Sequence, residues 1–222
     1  MARRAEINYD DEREALERHK ARILPKKENL VKRYSSARSA RPVRRAKLRP
    51  VKLTPEVRAY VRKIDGYRAG QDPLPLLKSA PAKFARAIAG LSARQLRRRP
   101  TAVKWSIIEI LGHLHDTEVV YGYRYRQSLC QPGSLILGYD QALWADELRH
   151  RRANAKRLLD HIRALREGNL DAVQRVPRRH WKRYGMHTER GKQTVRRTLE
   201  LIAGHDLNHL DQIRAIRKKF RR

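Results

Sequence analysis

The chain has 222 residues, enough for one domain of ordinary size with sequence to spare, and 53 Lys and Arg against 23 Asp and Glu give it a formal net charge of +30. No apolar run is long enough to span a bilayer and the N-terminus lacks the apolar core of a secretory signal, so the expectation is a cytoplasmic protein with no membrane partner. The single cysteine, Cys130, excludes an internal disulfide framework and fits a reducing compartment.

The charge raises the expectation of a polyanionic partner, nucleic acid foremost, although charge speaks to solubility and association rather than to fold. Residues 1–52 differ in character from the rest of the chain. Residues 10–20 admit a short charged helix with a thin apolar stripe. Residues 26–52 carry eleven Lys or Arg against one acid, Glu28, together with Ser35, Ser36, Ser39, Pro42 and Pro50. Such a composition cannot bury enough surface to offset its ordering entropy. It predicts a disordered basic N-terminal tail over 1–52, ahead of a helical domain over 53–222. The tail reads either as a phosphate-binding arm for nucleic acid or as a plain solvated extension; it lacks the aromatic interleaving of a base-stacking surface.

Thr54-Pro55-Glu56 has the form of an N-cap, a proline at the first helical position and an acid in the first turn, and predicts a short helix to about Arg68. A second helix is expected over 73–91, with Leu74, Leu76, Leu77, Phe84, Ile88 and Leu91 on its buried stripe, and 97–100 reads as a loop. Ser106 and Glu109 form an S-x-x-E capping box, and Ile107, Ile110, Leu111, Leu114 and Val120 carry helical periodicity to about Leu129. His113 falls on the apolar face of that helix and His115 nearly opposite. After Pro132-Gly133, Asp140 or Gln141 opens a helix expected to run through Leu165, broken or kinked at Gly168-Asn169. Residues 177–191 are a polar connector containing His187, and Thr194 caps a last helix to about Lys218. No segment shows strand periodicity, and no glycine-rich phosphate loop is present.

In the last helix, His205 and His209 stand four residues apart and so share a face one turn apart. Such a pair can hold one divalent ion, but it arises by chance on many helices. A third ligand is what would make it a site. Amphipathic helices joined by one long connector describe an all-α four-helix bundle, and bundle interiors are where facing helices build metal sites. If His113 faces the pair, three imidazoles converge and leave a coordination position open, as in a catalytic rather than a structural centre.

These segments resemble a known family. Trp105-Ser106-Ile107-Ile108-Glu109 through His113, then Asp116-Thr117-Glu118, is similar to the second-helix motif of the DinB-like superfamily, close to the YfiT type. Tyr123-Arg124-Tyr125-Arg126, Asp140 to Ala145, Arg183 to Gly191 and Ala203 to Ile213 follow the same pattern. The resemblance covers roughly 58–218. It implies a four-helix bundle of DinB/YfiT type and a metal-dependent enzyme, with His113, His205 and His209 as ligands of one divalent metal ion, zinc or nickel. It also implies a small-molecule substrate, with a low-molecular-weight thiol as a possible co-substrate, and by analogy a homodimer.

An open position on such a metal suits hydrolysis by an activated water or activation of a thiol. Asp116, one turn beyond His113, and Asp206 are candidate bases; either could instead support a ligand imidazole. Glu118 and His187 are candidates for the pocket or for that supporting layer. Glu109 is committed to its cap, and Cys130 reads as a small hydrophobe near a helix end.

Overall fold

A computed structural model describes residues 51–220 of the chain. The expected tail and the 10–20 helix lie outside the described residues, apart from the last two positions of the tail.

The first two helices begin where their caps are written. In α1 (Pro55–Arg68) the Thr54 hydroxyl accepts from the Val57 N–H at 3.3 Å, and in α2 (Pro73–Ile88) the Asp72 carboxylate accepts from Leu74 at 3.2 Å. A short helix, α3 (Ala93–Arg97), stands just before the expected loop, held by a Ser92–Gln95 capping box. Helix α4 (Ile107–Cys130) starts at Ser106 as expected. The Glu109 carboxylate takes hydrogen bonds from the Ser106 N–H at 2.8 Å and hydroxyl at 2.5 Å, and it also ion-pairs with Arg99.

The helix expected from 140 through 165 is two. α5 (Gln141–Glu147) ends early, Arg149 turns into the left-handed region (φ 51°), and a 3-10 turn (His150–Arg152) precedes α6 (Ala155–Gln174). Asn154 makes the new start, accepting from the Arg157 N–H at 3.0 Å. Conversely, Gly168-Asn169 breaks nothing. The Asn169 amide is spent across the bundle, on the Glu118 carbonyl at 2.9 Å, rather than on its own backbone.

The connector before the last helix is more ordered than its composition suggests. It holds a 3-10 turn (Arg178–Lys182) and a hairpin of β2 (Tyr184–His187) and β3 (Gly191–Thr194), with β1 (Leu135–Ile136) parallel to β2. Strands of two to four residues are too short to show a period, and pairing with a segment some fifty residues away is invisible locally. Helix α7 (Val195–Phe220) follows β3 directly, with the Thr194 hydroxyl accepting from the Arg197 N–H at 3.0 Å.

Helices α2, α4, α6 and α7 form the four-helix bundle: α7 and α6 each pack against both α2 and α4, while α1 lies along α7. One end of the core is built on Phe84, Ile107, Leu111, Ile162 and Ile213, the other on Leu77, Tyr125, Val173 and Leu199. The α1–α7 contact depends on Gly204, where a Cβ would strike the Ile64 carbonyl oxygen. His205 is the next residue, so this close helix contact fixes the backbone beside the predicted site.

Candidate metal centre

His113 is placed by the middle of α4, His205 and His209 by successive turns of α7. All three are buried, with 3%, 8% and 7% of their surface exposed. Their ring nitrogens point at one another. His113 Nε2 lies 3.0 Å and His209 Nε2 3.1 Å from His205 Nε2, and one ligand atom from each falls within 4.8 Å of the others. The Trp105 ring stands against His113, with centroids 5.2 Å apart. The three sequence-predicted ligands therefore meet.

Their electrostatics suit a cation. Burial, then the fields of His209 and His205, push His113 well below the ordinary histidine value; burial and His205 do the same to His209. Both rings are neutral near pH 7, with lone pairs to offer. His209 Nδ1 lies 2.8 Å from Gln212 Oε1, which can only accept, so the ring proton sits on Nδ1 and Nε2 is bare. The Nδ1 atoms of His113 and His205 are buried without a hydrogen-bond partner. A tetrahedral ion with metal–nitrogen bonds of about 2.0–2.1 Å holds its nitrogens about 3.3 Å apart, close to the spacing seen. The donor set fits a divalent ion: three buried imidazoles turn their ring nitrogens inward on one another, with no other acceptor or donor among the described residues between them.

The candidate carboxylates fall into two separate arrangements. Asp116 is 5% exposed and lies 2.7 Å from His150 Nε2 and 3.3 Å from His115 Nδ1. Burial pushes its carboxyl up, but the hydrogen bonds from His115 and His150 outweigh that and hold it below the usual range. His150 packs on Gly112, where a Cβ would strike its ring, and its field contributes to that felt by His113. Asp206 and Glu118 instead flank a buried guanidinium: Arg166 Nη2 lies 2.8 Å from Asp206 Oδ2 and 2.7 Å from Glu118 Oε1, and Nη1 donates to the Leu77 carbonyl at 2.8 Å. Both acids thus share one buried cation inside the bundle.

His187 is a strand residue only 1% exposed, not the exposed loop histidine its context suggests, because β2 lies between β1 and β3. Cys130 is exposed at the last position of α4 rather than packed as a small hydrophobe. Sequence reasoning missed His150, Arg166 and Gln212. Only Gln212 had a local signal, its i+3 spacing from His209. A small cavity of about 20 Å³, room for about one water, reaches His205; Ile64, Leu201 and Ile202 form its apolar side and Tyr60, Tyr121 and Arg190 its polar side.

A bundle carrying three converging histidines on two facing helices defines a class. Residues 76–213 match the family model of the DinB superfamily, and the chain belongs to that superfamily. Among solved structures it is similar to YfiT from Bacillus subtilis, described as "a probable metal-dependent hydrolase with an unusual four-helix bundle topology". The TM-score is 0.63 at 19% identity, over 72% of this chain and 88% of that one, a likeness of fold. No curated protein matches the chain. No described helix is long and apolar enough to cross a membrane.

Proposed function

We propose that this chain is a metal-dependent enzyme that holds one divalent ion, zinc or nickel, on His113, His205 and His209. It acts on a small molecule, as a hydrolase or as a thiol-dependent transferase. The observation that carries this is the convergence of three buried Nε2 atoms, two of them on rings kept neutral. Membership of the DinB superfamily supports it, as does the description of YfiT.

Bound there, such an ion would polarise a carbonyl and lower the pKa of a water or thiol at its open position. The chain's own groups do the rest. Gln212 fixes the His209 tautomer so that Nε2 faces the ion. The core residues around α4 and α7 keep bulk water out, and the cavity at His205 has room for a water molecule beside the histidines. Proton handling falls to Asp116, which keeps its charge and shares hydrogen bonds with His150 and His115. Asp206 and Glu118, bound to Arg166, hold α6 against α4 and α7 instead.

The test is a two-panel screen of zinc-loaded and nickel-loaded protein, one panel of small esters and amides, the other of electrophiles offered with a small thiol. Turnover in one panel that falls to background in His205→Ala is expected. No turnover in either panel with either metal, or turnover untouched by His205→Ala, contradicts the reading.

A further inference from the structure

The polar wall of the cavity at His205 carries an unanswered positive charge. Arg190 stands on that wall, just before the positive-φ Gly191 that opens β3. Its Nη2 donates to the Tyr121 hydroxyl at 3.2 Å, and its Nε is buried with no hydrogen-bond partner. A second guanidinium, Arg124, is 5% exposed and lies over the Tyr121 and Tyr139 rings, 4.7 and 5.9 Å from their centroids. It donates to the Leu137 carbonyl at 2.6 Å. Among the described residues, no carboxylate lies within ion-pair distance of either arginine.

His187 belongs to the same cluster. Its Nδ1 accepts from the Glu189 N–H at 3.1 Å, so the ring proton sits on Nε2, and that buried N–H has no acceptor. Burial, then Arg190 and Arg124, push its pKa down to about 2, which places both cations close to a neutral ring. Buried donors and cations without an acceptor are costly. The unpartnered Arg190 Nε and His187 Nε2–H, in a cluster that holds the charges of Arg190 and Arg124, are complementary to an anion.

We propose that Arg190 anchors the carboxylate of the substrate, which is a small organic carboxylate whose reactive end lies toward His205. The edge of a guanidinium matches a carboxylate with two parallel hydrogen bonds. The cavity of about 20 Å³ has to widen as the carboxylate enters, which favours a flat two-oxygen group over a bulkier tetrahedral phosphate. The proposal deepens the metal-enzyme reading by naming its substrate class and rests on it for the chemistry; capture of the carboxylate itself needs no metal.

Calorimetric titration of the full chain, metal-free and zinc-loaded, tests it with benzoate and hexanoate as probes. Benzamide serves as the uncharged counterpart and inorganic phosphate as the tetrahedral anion. A carboxylate should bind the metal-free protein and benzamide should not. Arg190→Gln, shown to be folded by circular dichroism, should weaken carboxylate binding by roughly tenfold or more. Arg190→Lys should retain part of it, and Arg179→Gln, an equal charge change at an exposed site, should leave it unchanged. Absent carboxylate binding, binding that survives Arg190→Gln, or phosphate bound as tightly, overturns the proposal. Zinc uptake without carboxylate binding defeats this proposal alone, whereas benzoate held by Arg190 in a chain that takes up no zinc defeats the metal reading alone.

Discussion

His113 and Glu118 lie on the same helix, α4, and His205 and Asp206 are neighbours on α7, yet they enter two buried clusters of opposite character. Around Arg166 opposite charges meet: two carboxylates at 2.7 and 2.8 Å, a backbone carbonyl and the Asn169 amide, with Arg166 Nε alone on the guanidinium making no hydrogen bond. Burial alone would lower the guanidinium's pKa, but Asp206 and Glu118 outweigh it and raise it. Around His205 the partners are few: Gln212 meets His209 Nδ1, and Asp206 Oδ1 lies 3.9 Å from His205 Nδ1. Three like groups face inward and their ring nitrogens crowd to within hydrogen-bond distance. A closed cluster holds helices together; an open one leaves ring nitrogens that can still act as donors to an ion. Adjacent residues on one helix can therefore serve structure and chemistry separately, because a step of about 100° around the axis points them at different neighbours.

The comparison can be broken most forcefully at the closed cluster. Arg166→Met leaves two carboxylates buried without their cation and should cost about 3–5 kcal/mol in urea unfolding. A loss below about 1 kcal/mol would mean that water, not Arg166, satisfies Glu118 and Asp206.

Acid should act on the buried histidines next. His113, His209 and His187 have folded pKa values below the ordinary 6.5, so below that pH the unfolded chain binds protons that the folded chain refuses. Their contribution is complete above pH 6.5 and is lost as pH falls toward the folded values. Each histidine contributes up to about 1.4 kcal/mol per pH unit in that window. Urea midpoints of chelator-treated protein at pH 7.5 and 5.5 should show a clear drop; a flat profile would mean the rings are not held neutral.

A smaller change sharpens the role of the surroundings. Gln212→Leu removes the acceptor that fixes the His209 tautomer and should weaken metal binding about 10–100-fold while the fold survives. Unaltered affinity in a competition titration would show that His209 is oriented by packing alone.

The three histidines of the candidate site were legible because helical spacing is a local property. A four-residue interval puts His205 and His209 on one face, and the capping box at Ser106 fixes where His113 falls in its helix. What was not legible depends on partners distant in sequence. Arg166 sits in an ordinary charged stretch of α6, and only its meeting with residues 118 and 206 makes it a core residue. His187 is buried by strands that pair across some fifty residues. The division of 141–174 into two helices turns on the left-handed Arg149 and the Asn154 cap, both of which a pattern of apolar positions overlooks. The anionic preference at Arg190 has no sequence signature at all in so basic a chain.

The central claim is that the three histidines bind a metal, and elemental analysis of gently purified protein beside His113→Ala measures it most directly. The expected result is about one divalent ion per wild-type chain and almost none in a His113→Ala protein that remains folded. Wild-type protein that carries no metal and gains no thermal stability from added zinc or nickel, or a variant that carries as much metal as wild type, would contradict it.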